Sequence, residues 1–529
     1  MNKKLLFIIP PTLNMGEIAK KMRVQNATIP YGVLSISAYV IDRYPVDVKI
    51  IDMNVGKYVN TSFYKMYRIL ISDVLSFSPN IIGISLMYNH MYKYGHAISS
   101  LLRKALPKEI LIVAGGCCVM AYFDRILEDS PNLDAICFSE GEIPILDLLR
   151  ADNPSKLLEE HPSWATKSTI LKGKKNSASF VENLDEIPPI DFNLIDLSLY
   201  GPHRTSFRPI RKKQELCLPI TTTRGCPYKC IFCIAGSLHG KKIRKMSSQR
   251  VISDVKGMID KYDMNVLSIE DDQFLIDKKR SKDILRGLAK FDISLIADSG
   301  FTVKLLDDEI AKLLSKAGLQ TAVLAIESGS EFVLKQIINK PINLSKVSST
   351  VKSIRRYGMY CHAFLVTGFP GETDEHRQET VNFIKKVGID WCYITCATPI
   401  KGSRLYDLCM EKKYITNENY TENAFYVSYI NTPAYSAEYV TRAAYLMNLE
   451  LNFICNYRLR IGDFKTAIIY MKHVLNKYPE HAFAHYCAAI AYERLGNLEK
   501  AKKSKQSFNN IIAKSSEWHD YAKYFKLIS

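Results

Sequence analysis

The chain is 529 residues long, 47% hydrophobic and 24% charged, with 71 lysines and arginines against 54 aspartates and glutamates. That length is too great for one hydrophobic core, so the chain should divide into about three globular domains. No run approaches the roughly 20 apolar residues of a spanning helix, which argues against a membrane span.

The net charge and the spacing of the cysteines indicate which partners and which cellular compartment to expect. The formal net charge of +17 raises the odds of an anionic partner, but the basic clusters accompany no known nucleic-acid-binding motif. A solvated basic surface is therefore favoured over nucleic-acid binding. The 13 cysteines are scattered without paired spacing, and the N-terminal apolar run stops at Pro10. Both features predict a cytoplasmic protein without a signal peptide.

The first 150 residues alternate between strand-like and helix-like patterns. Apolar runs at residues 5–9, 48–51, 81–85 and 110–114 fit buried parallel strands. Helical patterns such as residues 31–42 and 94–105 lie between them. This alternation predicts an α/β domain with a doubly wound parallel sheet over residues 1–150.

Ligands of such sheets bind beyond the carboxyl ends of the strands. This chain places residues 14–16, Ser85, Gly115, Gly116 and the acidic run 139–142 there. The glycines would let backbone approach a ligand closely. Each signal is weak alone, because a Gly-Gly pair after a strand is also an ordinary tight turn.

A linker and a second α/β domain follow. Residues 151–216 are predicted to be a linker, because Pro188, Pro189 and Pro202 interrupt any long element. Strand-like runs then recur at residues 266–269, 295–297, 322–326, 363–366 and 393–395. With the strand before residue 221 they predict a partial (β/α)6 barrel over residues 217–410. The active site should lie at the carboxyl ends of its strands.

The run TTTRGCPYKCIFCI at residues 221–234 is the most specific motif. Cys226, Cys230 and Cys233 have the spacing C-x3-C-x2-C, which supplies three thiolates. A structural zinc ion takes four protein ligands, and no second cysteine or histidine pair follows nearby. Soft thiolates suit an iron-sulfur cluster, which tolerates three. The alternative is three unrelated cysteines in a loop.

This motif resembles that of the radical S-adenosylmethionine (SAM) enzymes, and Gly225 and Phe232 fit the resemblance. The first domain resembles the cobalamin-binding domain that precedes the radical domain in one group of these enzymes. The resemblance rests on IPYGVLSISAYV, PNIIGISLM, ILIVAGG and SEGEIPILDLL. The chain lacks the Asp-x-His-x-x-Gly run that supplies a lower axial histidine. Cys117 and Cys118 replace a Pro-His or similar pair and are interpreted as small buried residues.

The resemblance implies a 4Fe-4S cluster on the three cysteines and site residues for two further cofactors. Glu270 would contact the amine of SAM, Glu327 its ribose or amine, and Phe232 its adenine. The remaining SAM contacts would come from Ser299 and, within the TGFPGET motif, from Gly368 and Pro370. The cobalamin contacts would be Ser85, Gly115, Gly116, Glu140 and Gly141. For residues 270–272 the alternative is a solvated strand end with helix capping.

The chemistry of the radical SAM enzymes that this chain resembles suggests what reaction to expect. Reductive cleavage of SAM would yield a 5′-deoxyadenosyl radical, and a cobalamin-dependent methyltransferase acting on an unactivated carbon is the preferred outcome. A radical SAM oxidative cyclase or rearrangement enzyme is the first alternative, and a cobalamin-sensing or redox-sensing binding protein is the second. The implied partners are a small-molecule or peptide substrate and an electron donor such as flavodoxin or ferredoxin.

Residues 411–529 are predicted to be helical. Residues 461–510 have small residues and Pro479 near tetratricopeptide spacing, but fewer than the three repeats that an independent solenoid needs. The tail should therefore pack against the barrel or bind a protein partner. His481, His485 and Cys487 are interpreted as surface or core residues, because positions two apart on a helix face different sides.

Overall fold

The computed structural model describes residues 2–12, 27–59, 61–88, 91–200, 215–415 and 425–528. The N-terminal domain is built on a sheet in the order β2-β1-β3-β4-β5-β6, in which only β6 is antiparallel. Its strands are β1 (Lys3–Ile9), β2 (Val46–Asp52), β3 (Ile81–Ser85), β4 (Leu111–Gly115), β5 (Ala135–Cys137) and β6 (Trp164–Ala165). The doubly wound sheet is confirmed.

Helices cover both faces of this sheet. They are α1 (Tyr31–Arg43), α2 (Phe63–Phe77), α3 (Tyr92–Ala105), α4 (Cys117–Asp129) and α5 (Glu142–Arg150). β1 is consequently buried at five consecutive positions, from Leu5 to Ile9, as expected for a parallel strand with helices on both sides. The strand order reverses between β1 and β3, and ligands of doubly wound sheets bind at that point.

The predicted linker contributes to the first sheet. It contains α6 (Pro154–Glu160), strand β6 and α7 (Lys167–Leu171). Trp164 in β6 is fully buried, and β6 pairs with β5. Three short 3-10 turns follow between residues 184 and 199. Residues 154–171 therefore extend the N-terminal domain, whereas residues 185–192 bond to helix residues 250–262 of the second domain. Pro202 lies outside the described residues.

Six parallel strands form the second domain. They are β7 (Cys217–Ile220), β10 (Val266–Ile269), β11 (Ser294–Ile296), β12 (Thr321–Glu327), β13 (Tyr360–Thr367) and β14 (Trp391–Cys396). They pair as β11-β10-β7 and β12-β13-β14, and bridges from Leu295 to Leu319 and from Phe301 to Leu324 join the two halves. An arc of six parallel strands confirms the partial barrel.

The barrel helices alternate with these strands. They are α8 (Ala235–Leu238), α9 (Ser248–Tyr262), α10 (Lys278–Leu288), α11 (Asp308–Lys316), α12 (Leu344–Arg356), α13 (Asp374–Val387) and α14 (Arg404–Glu411). Two short strands, β8 (Thr223–Arg224) and β9 (Arg244–Lys245), pair antiparallel and close the loop that contains the three cysteines of the motif.

The C-terminal region is helical, as predicted, and packs on the barrel. Its helices are α15 (Ala437–Leu449), α16 (Tyr457–Arg460), α17 (Phe464–Lys477), α18 (Ala482–Arg494), α19 (Leu498–Lys514) and α20 (Ser516–Tyr524). Trp391 of β14 stacks on Tyr470 with ring centroids 5.6 Å apart and meets Phe453 edge-on. Asn452 bonds to both backbone groups of Cys392. Docking on the barrel is thus observed, and tetratricopeptide character stays a prediction.

The tail residues that resemble metal ligands are used in local structure. His481 caps α18, and Cys487 is buried in the tail core. The His485 ring contacts the Pro479 carbonyl oxygen. Among the described residues, no helix is both long and apolar enough to cross a bilayer.

Candidate active site

The cysteine loop is held by backbone contacts at its base. Gly225 has φ +96°, and a Cβ at that position would lie 2.3 Å from the Lys242 carbonyl oxygen, so the position requires glycine. The Cys226 N–H donates to the Gly240 carbonyl at 3.1 Å, and the Ile231 N–H donates to Ile338 at 3.0 Å. The path of the motif is therefore fixed before any cofactor binds.

The three predicted ligand cysteines are free thiols that influence one another electrostatically. Cys226 is buried, Cys230 is half-buried and Cys233 is exposed. Burial raises the pKa of all three and brings that of Cys230 to about 11, and neighbouring thiols contribute at Cys226 and Cys230. N–H groups of Gln273 and Ala235 lie 3.5 Å from the sulfurs of Cys226 and Cys233.

This donor set fits a 4Fe-4S cluster. The three thiols of one loop are the soft ligands that iron-sulfur clusters require, and N–H groups directed at sulfur stabilise thiolates. Because the pKa values are raised, cluster binding must displace protons from the thiols. In the described part of the chain, no group of three His, Cys, Asp or Glu side chains is arranged to hold a metal ion. The cysteine assignment therefore rests on the motif and its loop.

A buried ion pair lies behind the loop. The Lys340 ammonium donates to Glu327 at 2.5 Å, and both side chains are at most 11% exposed. Burial lowers the pKa of Lys340, but Glu327 and Cys230 raise it more, so the lysine stays charged. Glu327 has φ +66° at a register shift at the end of β12, a strained conformation that fixes its direction. Sequence analysis missed Lys340, because a lysine after a helical segment is usually solvated.

The end of β10 carries three carboxylates with different roles. Asp271 is fully buried and accepts from the Thr222 hydroxyl at 2.6 Å, and Asp272 accepts from the Gly225 N–H at 2.9 Å. Both therefore fasten the strand end to the cysteine loop, and a solvated capping role is excluded for Asp271. Glu270 instead makes no bond to the cysteine loop among the described contacts and accepts from the Ser268 hydroxyl at 3.4 Å.

Glu270 is the carboxylate with a strongly altered acidity. Burial by surrounding protein and, to a smaller extent, the charge of Asp298 raise its pKa to about 7, while the Ser268 hydroxyl opposes the shift. The residue is nevertheless exposed, so the carboxylate is packed among protein atoms but still reaches solvent. Ser299, the next predicted contact, is exposed at the end of β11.

The TGFPGET motif forms a self-supported turn after β13. Glu372 accepts from the Thr367 hydroxyl at 2.8 Å and from the Gly368 N–H. Gly368 has φ +86°, and a Cβ there would lie 2.4 Å from a methyl group of Val440. Gly368 is buried and Pro370 is partly exposed. This turn's predicted support of adenine stays a prediction.

Phe232 lies against this turn. Its ring centroid is 5.8 Å from that of the buried Phe369, at an interplanar angle of 49°. The ring is partly exposed, so one side remains accessible. Its predicted contact with adenine stays a prediction, and the observed contact joins the cysteine loop to the TGFPGET turn.

The carboxyl ends of β3 and β4 form a flat edge on the N-terminal sheet. The Leu86 N–H donates to the Gly115 carbonyl at 2.8 Å, just beyond Ser85. Gly116 has φ +110°, and a Cβ there would lie 2.6 Å from the Leu86 carbonyl oxygen. Beside this edge Met87 is 45% exposed. Gly115 and Gly116 are partly exposed at the edge where ligands of doubly wound sheets bind. Residues 14–16 lie outside the described residues.

This edge faces the carboxyl ends of the barrel strands. Glu270 and Cys117 both raise the pKa of Tyr88, after the effect of surrounding protein. Burial followed by the charge of Asp272 raises the pKa of Cys117 to about 11. Residues from the N-terminal domain and residues at the end of β10 thus lie close enough for their charges to affect one another. Cys117 is half-buried, and the side chain of Cys118 lies outside the described residues.

Glu140 has a different environment from the one predicted. Arg224, Arg244 and His239 hold its carboxylate at 2.6 to 2.9 Å, and it is 7% exposed. Burial raises its pKa, but these three partners lower it well below the usual range. Glu140 therefore binds protein cations through both oxygens, and a cobalamin contact by its side chain stays a prediction. At Gly141 a Cβ would lie 2.3 Å from Ile36.

Comparisons with known proteins agree with this arrangement. The Radical SAM superfamily model matches residues 220–384, and the B12 binding domain model matches residues 22–149. An uncharacterized methyltransferase of Pyrococcus horikoshii is 28% identical over 79% of this chain and 85% of its own length. The cytidylyl-2-hydroxyethylphosphonate methyltransferase of Streptomyces wedmorensis is 25% identical over 83% and 89%.

A solved structure shares the fold. The radical SAM methyltransferase TsrM from Kitasatospora setae, solved with cobalamin and a 4Fe-4S cluster bound, matches with a TM-score of 0.59 at 15% identity. The match covers 79% of this chain and 76% of TsrM. A three-cysteine loop on a partial barrel, faced by a doubly wound sheet, thus coincides with both matched domains. The chain belongs to the radical SAM enzymes with a B12-binding domain, and its cofactors are a 4Fe-4S cluster, SAM and cobalamin.

Proposed function

We propose that the protein is a cobalamin-dependent radical SAM methyltransferase that acts on an unactivated carbon. The observation that carries the proposal is that the strand-end edges of the two domains lie near one another. Arg224 beside the cysteine motif pairs with Glu140 and Glu142 of the N-terminal domain at 2.8 Å, and Glu270 lies close enough to Tyr88 to raise its pKa. Methyl transfer from cobalamin to a substrate carbon that is activated at the cluster would require both cofactors to reach that carbon. Both relatives named above as methyltransferases cover most of this chain.

When bound, the cluster and SAM supply one-electron cleavage of a carbon-sulfur bond, and cobalamin supplies methyl transfer. The chain's own residues position these groups. Cys226, Cys230 and Cys233 would hold three irons and leave the fourth for SAM. Glu270 would accept a hydrogen bond from the SAM amine in its ionised form. The charged Lys340 beside Cys230 and Cys233 would stabilise negative charge on the thiolates.

The remaining SAM contacts are proposed because of where these residues lie at the ends of the barrel strands. Phe232, Gly368 and Pro370 lie together at the turn that would support adenine. Glu327 would reach SAM with whichever oxygen Lys340 leaves accessible, and Ser299 would contact it from the end of β11. On the opposite edge the proposed cobalamin contacts are Ser85, Gly115, Gly116 and the backbone at Glu140 and Gly141.

The proposal extends to partners and location. An external donor such as a flavodoxin or ferredoxin would supply electrons, and the substrate would be a small molecule or a peptide. We place the protein in the cytoplasm, where thiols stay reduced. The tetratricopeptide-like segment 461–510 would offer a further protein contact on the side away from the barrel.

The test uses anaerobically purified full chain, reconstituted with iron, sulfide and cobalamin and then desalted. The corrinoid absorption spectrum measures retained cobalamin, and incubation with SAM and a reductant measures S-adenosylhomocysteine and 5′-deoxyadenosine. A methyltransferase retains corrinoid and forms both products, because one SAM donates a methyl group and another is cleaved reductively. Corrinoid-free protein that forms only 5′-deoxyadenosine would refute methyl transfer. Retained corrinoid without S-adenosylhomocysteine would favour the cyclase or rearrangement alternative.

A further inference from the structure

A buried charge cluster joins the N-terminal domain to the cysteine loop. One Glu140 oxygen accepts from Arg224 and Arg244 at 2.8 Å, and the other accepts from Arg244 at 2.6 Å. The His239 ring contacts the second oxygen at 2.9 Å. Glu140 lies just after β5 in the N-terminal domain, and its three partners belong to the segment 223–245.

A second carboxylate of the same domain completes the cluster. Glu142, at the start of α5, accepts from Arg224 at 2.8 Å and from the Ser35 hydroxyl at 2.7 Å. Arg224 also donates to Ser35 at 3.0 Å. The side chains of Arg224, Glu142 and Ser35 are each at most 10% exposed, so little solvent screens the charges. Three residues of the N-terminal domain, namely Ser35, Glu140 and Glu142, thus surround one guanidinium of the barrel domain.

The two arginines of this charge cluster lie at the base of the cysteine loop. Arg224 and Arg244 are cross-strand partners on the β8–β9 ribbon, which closes the loop that contains all three ligand cysteines. Arg224 is separated from Cys226 only by Gly225, whose backbone accepts no side chain. A shift of Arg224 relative to Glu140 must therefore move the first cluster ligand. Arginine-carboxylate contacts through several N–H groups define orientation as well as distance.

We propose that Glu140 and Glu142 are positioning residues that clamp the cysteine loop to the cobalamin-binding domain and thereby set the separation of the two cofactors. The part of this proposal that concerns the separation of the cofactors rests on the proposed function, whereas the contact between the loop and the N-terminal domain does not. Buried ion pairs contribute conformational specificity in some proteins more than they contribute stability. The clamp predicts that a substitution at residue 140 or 142 of the N-terminal domain alters the conformation of the cysteine loop, which lies about 80 residues later in the sequence.

The first test is hydrogen exchange of the full chain without added cofactors, which does not depend on the proposed function. Glu140→Gln removes the charge at the centre of the cluster, and Ser35→Ala removes one hydroxyl with little risk to folding. We expect amides of residues 223–245 to exchange about tenfold faster in Glu140→Gln and to a smaller extent in Ser35→Ala. The matched control is Asp254→Asn, because Asp254 is 8% exposed and pairs with Arg250 inside α9 at 2.7 Å. The control should leave exchange of the loop unchanged.

The second test measures cofactor geometry in the reconstituted protein. The reduced cluster speeds relaxation of the cob(II)alamin electron spin to a degree that falls steeply with distance. We expect Glu140→Gln to retain corrinoid and iron and to change this relaxation, whereas Asp254→Asn keeps the wild-type value. A loss of corrinoid with wild-type exchange in residues 223–245 would instead identify Glu140 as a cofactor contact.

The outcomes separate the clamp from the proposed function. Wild-type loop exchange in both Glu140→Gln and Ser35→Ala overturns the clamp, whatever the cofactor content. If Glu140→Gln does not fold, exchange in Ser35→Ala decides, and unchanged exchange there overturns it. A wild-type protein without corrinoid refutes the proposed methyltransferase, and faster loop exchange in the variants would still support the inter-domain clamp.

Discussion

Glu270 gives a pH-dependent prediction for SAM binding. Its pKa is raised to about 7 by surrounding protein and by Asp298. Only the ionised carboxylate attracts the cationic amine of SAM, and that form is lost as pH falls through the pKa. The ionised fraction rises from about one tenth at pH 6 to about nine tenths at pH 8, so SAM affinity should rise about tenfold over this range.

The perturbation is Glu270→Gln, which keeps the shape and removes the titration. A hydrogen bond to a charged group contributes about 1.5–3 kcal/mol, so the Kd for SAM at pH 8 should rise about 10- to 150-fold. Equilibrium dialysis of the reconstituted protein against labelled SAM from pH 6 to 8 measures both effects. Iron content and the cluster absorption spectrum confirm equal occupancy in the two proteins.

A second variant isolates the cause of the raised pKa. Asp298→Asn removes a negative charge that raises the pKa of Glu270, so the midpoint of the SAM-affinity profile should move below pH 7. A flat wild-type profile, or a Glu270→Gln protein with the wild-type pH dependence, would refute the assignment of Glu270 to the amine.

Three further predictions test the loop and the tail. Cys230→Ala should abolish cluster absorption and 5′-deoxyadenosine formation while far-ultraviolet circular dichroism stays native, and retained 5′-deoxyadenosine would contradict the cluster assignment. Gly225→Ala should lower the free energy of unfolding by at least about 1–2 kcal/mol in urea titrations, because its φ is +96° and its Cβ would meet the Lys242 carbonyl; an unchanged midpoint would contradict the described loop. Trp391→Ala should cost about 3–5 kcal/mol and release the helical tail to limited proteolysis, because its ring stacks on Tyr470, whereas protease resistance like that of the wild type would contradict docking.

The sequence predicted the regular elements well because burial determines their pattern. The structure places β3 at Ile81–Ser85 and β10 at Val266–Ile269, which are the predicted bounds. A parallel strand with both faces covered is a continuous apolar run, and such a run can be recognised without tertiary information. The cysteine motif was equally accessible, because its spacing is local.

Contacts between distant segments could not be predicted in this way. Glu140 was assigned to cobalamin because it follows a strand end, and only the fold brings Arg244 to it. Lys340 was missed because its pairing with Glu327 depends on the register shift at the end of β12. Similarly, β6 has two residues, too few for any periodicity, and it is a strand only because β5 offers an edge.

The cysteine loop connects both domains through adjacent residues. Arg224 is held by carboxylates of the N-terminal domain, and the Gly225 N–H is held by Asp272 at the end of β10. Two such attachments leave Cys226, the next residue, little freedom to move independently of either domain. The position of Cys226, the first cluster ligand, therefore depends on the relative position of the two sheets. Two cofactors that act on the same substrate carbon need a fixed relative position of the two domains. A displacement of about 1 Å can lower the rate a hundredfold.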